Sequence, residues 1–225
     1  MHIADGVLSV PVLVVGGSAA LAGVALCLKK LPWENLMPTA IVASGFFVAS
    51  LIHLPVGVSS VHLLLNGLAG VILGTAALPA IAVALFLQSL FFHFGGLVSL
   101  GVNIGIMGFP ALVCGALFRC LMRENRVPGM AAAFACGALG VALSGLLAAL
   151  ALALSGDVFT ATATVLFLAH IPVMIVEGIV TAFIFRLVRR VAPEMLGLRQ
   201  YGQHEQTVMV FAEVACGEEK PGQAA

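Results

Sequence analysis

Apolar residues run along this chain in long unbroken stretches, without the one-sided alternation of a water-soluble helix or strand. Seven such stretches stand out: Leu8 to Leu28, Pro38 to Leu54, Ser60 to Leu73, Leu78 to Phe94, Asn103 to Met122, Met130 to Leu154 and Thr162 to Val188. Breakers separate them, among them Pro32 and Pro38, Pro55 and Gly57, Gly95-Gly96, Pro128-Gly129 and Ser155-Gly156-Asp157. The third stretch is short and opens among Gly and Ser. A hydrocarbon core takes roughly 20 apolar residues per helical crossing, so the chain holds about six to eight crossings and little else. The pattern predicts an all-α integral membrane protein: a compact bundle of seven transmembrane helices over residues 1–192, with a polar tail over 193–225. Small residues at four-residue spacing, Gly70 with Gly74, Gly101 with Gly105 and Ala133 with Gly137, predict close helix approach and no wide pore.

Composition agrees with a lipid solvent. Apolar residues make up 61% of the chain and charged residues 9%, and the mean hydropathy is +1.16. Ten basic and ten acidic residues cancel, which argues against a nucleic-acid partner and makes the placement of charge the informative quantity. Lys29 and Lys30 follow the first stretch, Arg119, Arg123 and Arg126 close the fifth, Arg186, Arg189 and Arg190 close the seventh, and Arg199 and Lys220 lie in the tail. A chain that weaves seven times puts all of them on one side. By the positive-inside rule that side is cytoplasmic, so the N-terminus is expected outside, the C-terminus inside, and the protein in the cell inner membrane as a multi-pass component. No basic residue precedes the first apolar run, unlike a secretory signal, so the N-terminus is expected to persist. The five cysteines form no C-x-x-C pair, and four lie in apolar stretches where a free thiol packs as a small hydrophobe.

Five of the six histidines fall in the outer half of this map: His2, His53, His62, His93 and His170, with His204 in the tail. Ionisable groups are costly in lipid and usually face the bundle interior, so imidazoles at one depth suggest a site. His53 and His93, at stretch ends, also suit plain interfacial solvation, and His170 could satisfy carbonyls freed by Pro172. The start Met1-His2 is a chelate in itself. The Met1 amine and the His2 amide nitrogen close a five-membered ring on a metal, and the amide with the His2 Nδ1 closes a six-membered ring. A further imidazole would complete the tetragonal nitrogen field preferred by Ni(II) or Cu(II). Ser59, Ser60, Gln88, His93 and Asn103 are candidates to orient a ligating imidazole, alongside the plainer reading of polar side chains as interhelical hydrogen bonds. Glu177, deep in the seventh stretch, either pairs inside the bundle, or with a neighbour such as Arg186, or faces a partner subunit.

Four stretches carry a family resemblance: Met1-His2-Ile3-Ala4-Asp5-Gly6, Ser59 to Gly70, Gly95-Gly96 to Met107-Gly108 with Asn103, and His170 to Met174 with Glu177-Gly178. In these the chain resembles the CbiM/NikM-type nickel or cobalt substrate-capture subunit of energy-coupling-factor importers. The resemblance implies a seven-helix fold whose N-terminal loop dips into the bundle. It also implies Ni(II) or Co(II) as transported substrate, no resident cofactor, and metal held by the Met1 amine, the His2 amide and imidazole, and the His62 imidazole. The implied partners are a membrane coupling subunit and ATP-binding cassette ATPases, with room for a small accessory membrane subunit. The sequence carries no G-x-x-x-x-G-K-[ST] loop, consistent with ATP handled elsewhere. A self-sufficient proton-coupled permease relaying protons through Glu177 is the alternative. An intramembrane metalloenzyme is disfavoured, since no H-E-x-x-H occurs.

Overall fold

A computed structural model describes residues 2–51, 53–56, 59–123, 127–156, 168 and 170–196, with the backbone alone at 53–56, 59–62 and 194. The helices are α1 (Val10–Lys29), α2 (Leu36–Ala49), α3 (Asn66–Leu73), α4 (Ala77–Phe92), α5 (Leu100–Arg123), α6 (Gly129–Ala153) and α7 (Ile171–Val191). Between α2 and α3 lies an antiparallel hairpin of β1 (His53–Val56) and β2 (Ser59–His62), in which His53 pairs with His62. Five helical stretches are long and apolar enough to cross a membrane: Val10–Lys29, Asn66–Phe92, Leu100–Met122, Gly129–Ala153 and Ile171–Val191.

The contacts fix the direction of each helix. Gly16 of α1 meets Val102 and Gly23 meets Phe109, so α1 and α5 run parallel. Leu78 of α4 lies on Gly108 while Gln88 reaches the N-terminal loop beside Asn103, so α4 runs against α5. Cys114 and Cys136 exchange S–H···O=C contacts, whereas Ser144 bonds Ile106, so α6 also runs against α5. Gly129 with Phe185 and Gly137 with Thr181 turn α7 against α6. Phe47 packs on Phe92, which places the end of α2 beside the end of α4. Direction therefore alternates from helix to helix. The described basic residues Lys29, Lys30, Arg119, Arg123, Arg186, Arg189 and Arg190 gather at the end where α1, α5 and α7 finish.

The second and third apolar stretches depart from the expectation of two full helices. The second helix stops at Ala49, and residues from Ser60 first form β2 before α3 begins at Asn66. Pro55 explains the break: its ring disfavours a helical conformation at Leu54, and with Val56 and Val61 the local sequence favours extended backbone. What remains for α3 is eight residues, about 12 Å at 1.5 Å per residue, far short of a hydrocarbon core of about 30 Å. It starts inside the bundle, ends at Gly74 (φ 60°), and the chain reverses there into α4. Irregular backbone at membrane depth persists only where protein surrounds it, and α3 is enclosed: Asn66 through Ile72 are all buried.

Glycine makes that enclosure possible. A Cβ at Gly67 would strike the Cys136 carbonyl and Gly137 of α6, and one at Gly70 would strike Ala111 and Gly115 of α5. The small-residue positions read from the sequence are used unevenly: Gly70, Gly101 and Gly137 make backbone-close contacts, whereas Gly105 meets only the Phe109 ring. A polar chain then locks the start of α3. Pro110 inside α5 has no N–H for the carbonyl four residues back, Ile106, and the Ser144 hydroxyl supplies the missing donor at 2.9 Å. Asn66 Nδ2 reaches Ser144 Oγ at 2.6 Å and the Gly140 carbonyl at 3.2 Å, while Asn66 Oδ1 accepts from the Gly67 N–H at 2.9 Å. Past α7, Leu196 of the turn Pro193–Leu196 is buried against the bundle, so packing extends slightly beyond the start of the expected polar tail.

Gly67→Ala is expected to destabilise the folded bundle by about 1–3 kcal/mol through overpacking against α6. Gly45→Ala, with nothing within 4 Å of the added methyl, leaves stability unchanged or slightly raised. Thermal unfolding of the two purified variants in one detergent checks the contrast.

Candidate metal centre at the N-terminal loop

Residues before α1 run inward, not out into solvent. Ile3 and Leu8 are buried and belong to the same core cluster as Leu64, Ile81, Leu85 and Met107. Backbone polar groups drawn into such a core must be bonded, and those of Ile3 have dedicated side-chain partners. The Ile3 N–H donates to Asn103 Oδ1 at 3.0 Å, and the Ile3 carbonyl accepts from Asn103 Nδ2 at 3.0 Å and from the Ser99 hydroxyl at 2.8 Å. The primary amide of Asn103 thus reads residue 3 as a second strand would. Further along, the Ser9 N–H donates to the Ser155 hydroxyl at 3.1 Å, tying the loop's end to the end of α6.

Asp5 makes the electrostatic tether. Its carboxylate accepts from the Ser99 N–H at 2.8 Å and the Val98 N–H at 3.4 Å, at the entry to α5, where unpaired N–H groups and the helix dipole favour negative charge. Partial desolvation alone would raise the Asp5 carboxyl, but the Ser99 amide and hydroxyl together with the Val98 and Leu97 amides outweigh it and hold the group below the ordinary carboxylate range. Gly95 (φ 84°) and Gly96 (φ 109°) shape the receiving loop. A Cβ on Gly96 would run into the Asp5 carboxylate, and one on Gly95 would meet Asn103 and His2.

His2 is half-buried just before Ile3. Its Nε2 lies 2.8 Å from Gln88 Oε1, and its ring leans on Phe94 at 5.9 Å between centroids. With the amide oxygen of Gln88 as acceptor, the imidazole proton resides on Nε2 and the lone pair on Nδ1. Gln88 is fully buried on α4, and its Nε2 has no hydrogen-bond partner among the described residues. A buried donor left unsatisfied usually marks a functional position or an unseen acceptor.

Of the candidates read from the sequence, the structure brings His2, Gln88 and Asn103 to one place. His93 is the left-handed residue (φ 56°) closing α4 and is exposed at the surface beside them. Met1 and the side chains of Ser59, Ser60, His53 and His62 lie outside the described residues, as do Arg126, Thr162 and the tail from 197, including Arg199, His204, Cys216 and Lys220. His170 is buried just before α7. Glu177 is fully buried and binds backbone amides of Leu64 and Leu65, not Arg186. Arg186 instead lines an open cavity of about 400 Å³ with Met130, Phe185, Arg189 and Arg190, at the far end of the bundle from His2. Among the described residues no group of three His, Cys, Asp or Glu side chains is gathered as a metal cage. Sequence reasoning passed over Ser99 and Ser155; the serine just before the fifth apolar stretch, where a helix start lacks acceptors, was the available signal.

Comparison with known proteins gives a consistent result. The family described as "Cobalt uptake substrate-specific transmembrane region", CbiM, matches residues 2–195. A Haemophilus influenzae protein named for metal transport is 40% identical over 203 residues, covering 87% of this chain and 97% of that protein. "Cobalt transport protein CbiM 2" of Pelobacter propionicus is 34% identical over 216 residues, covering 88% of this chain and 94% of that protein. A solved structure of a transition metal transporter superposes with a TM-score of 0.75 at 24% identity, over 85% of this chain and 93% of the other, and so shares the fold.

Asp5→Asn and Gly96→Ala are each expected to loosen residues 2–9, seen as faster hydrogen–deuterium exchange at the Ile3 amide. Because the Asp5 carboxyl is lowered in the folded state, its contribution is complete above its ordinary value of 3.8 and is lost only as pH falls through the lower folded value. Exchange protection, corrected for intrinsic rates, should therefore hold constant on acidifying from neutral to pH values just above that ordinary one.

Proposed function

The chain belongs to the CbiM family of substrate-specific transmembrane proteins of cobalt uptake, and from that premise we propose that it captures Ni(II) or Co(II) at its N-terminal loop for import. The observation that carries the reading is the inward course of the chain's first residues, pinned through both backbone groups of Ile3 to Asn103 with the His2 imidazole on Gln88. The ligands in this reading are the Met1 amine, the His2 amide nitrogen, His2 Nδ1 and the His62 imidazole. Two features of the geometry suit that set. Gln88 takes the Nε2 proton, which leaves Nδ1 as the nitrogen that can close the six-membered chelate. The Ile3 N–H is occupied by Asn103, so the series of metal-seeking backbone nitrogens ends at residue 2. Tetragonal nitrogen coordination favours late first-row dications over Mg(II) and over tetrahedral Zn(II).

The rest of the reading follows from charge placement and kinship. The loop enters at the bundle end opposite the gathered lysines and arginines, and by the positive-inside rule that end faces away from the cytoplasm. The bundle then spans an inner membrane with the N-terminus outside and the C-terminus inside. Energy comes from partner subunits, a membrane coupling protein and ATP-binding cassette ATPases. Reorientation of the bundle on that partner releases the ion inward.

Stoichiometric Ni(II) or Co(II) binding by the purified protein, read by calorimetry, should vanish in His2→Ala and in a form carrying extra residues before Met1. Gln88→Ala should weaken it by about 10–100-fold, as loss of an orienting partner does at other metal-bound imidazoles. Undiminished binding by the N-terminally extended protein would overturn the amine-ligand assignment.

A further inference from the structure

Glu177 takes no part in the metal reading, yet among the described residues it is the fully buried carboxylate, two turns into α7. Its oxygens are turned on the chain 112 and 113 positions earlier: Oε1 accepts from the Leu64 and Leu65 N–H groups, and Oε2 accepts from the Leu65 N–H at 3.0 Å. The reason lies in where α3 begins. A helix start leaves N–H groups without internal partners, and inside a bundle no water replaces them. Asn66 Oδ1 takes the Gly67 N–H, and Glu177 takes those of Leu64 and Leu65. Leu65 is also held at φ 48°, a left-handed conformation that a branched residue keeps only when its surroundings fix it.

The clamped amides follow directly on β2. His62 is the last residue of that strand, and only Leu63 separates it from Leu64. Upstream of His62 the hairpin is a two-stranded unit with no third strand beside it among the described residues. Downstream, the backbone is fixed by the carboxylate of α7. The helix that supplies the clamp is itself tightly seated, with Gly178 against Phe134 and Gly137 against Thr181.

We propose that Glu177 is a positioning residue for the metal centre: its carboxylate anchors the backbone immediately after His62, fixing where β2 delivers that residue and joining α7 to the site. The proposal rests on His62 being a ligand. It makes α7, whose far end carries Arg186, Arg189 and Arg190, the helix whose displacement is felt at the metal.

The test uses the full chain in detergent with Ni(II) as probe, comparing wild type, Glu177→Gln, His62→Ala and the double variant. Gln keeps the length but replaces one acceptor oxygen with an NH2 facing an N–H. Expected results are an affinity loss of about tenfold or more and a shift of the Ni(II) d–d absorption band in Glu177→Gln, with no additional loss when the change is made on the His62→Ala background. Unchanged affinity and band in Glu177→Gln, with His62→Ala still impaired, would overturn the positioning role while leaving the ligand reading standing. Equal losses on both backgrounds would also overturn it, as a general structural effect. Undiminished binding by His62→Ala would instead remove the ligand reading on which it rests. Should Glu177→Gln not fold, Glu177→Asp carries the same comparison: it keeps both oxygens on a side chain one methylene shorter and is expected to show a smaller loss with the same dependence on His62.

Discussion

A bilayer interior offers a backbone amide no water, and this protein places irregular chain at that depth twice: at the N-terminal loop and at the turn into α3. Everything else in the bundle can be read as the set of side chains needed to meet that requirement. Asn103 and Ser99 serve Ile3, Asp5 serves the entry of α5, Ser155 serves Ser9, Ser144 serves the carbonyl stranded by Pro110, and Glu177 serves Leu64 and Leu65. Asn103, Ser144 and Glu177 are polar side chains buried within predominantly apolar helices, and their burial is tolerable because each has a backbone group to answer.

The two irregular segments approach from different parts of the chain. Ile3 and Leu64 belong to one core cluster, with Leu85 of α4 and Met107 of α5. The N-terminal loop is held from α4, α5 and the end of α6, and the start of α3 is held from α5, α6 and α7. Close packing through Gly67, Gly70 and Gly137 brings these walls near enough for short side chains such as Ser and Asn to reach across. In a looser bundle the same residues would leave their backbone partners unbonded.

Much of this was legible in the sequence, and the omissions have physical causes. Hydropathy gave the helical stretches and the one-sided basic residues, because lipid selects strongly for both. It misread residues 60–73, since an apolar run of that length does not say whether it is strand, half-helix or full crossing; Pro55 was the signal that decided it. Gln88 and Asn103 could be proposed as groups that orient an imidazole, and Gln88 does meet one, that of His2; the partner of Asn103 could not be read, because it is the backbone of Ile3, 100 positions away. The same blindness applies to Glu177. Charge invited an ion pair with Arg186, while the fold supplies two peptide N–H groups that no side-chain pattern announces.

Those long spans in sequence bear on how the molecule is made. A chain emerging from the ribosome has its first nine residues and its α3 turn long before the helices that complete them. The Ser9 amide waits for Ser155, and the Leu64 and Leu65 amides wait for Glu177, the last helix to be delivered to the bilayer. Until then the half-helix has a bare start, and it gains its full complement of hydrogen bonds only when α7 docks. The bundle is therefore complete only when α7 arrives, because that helix carries the carboxylate that closes the turn into α3.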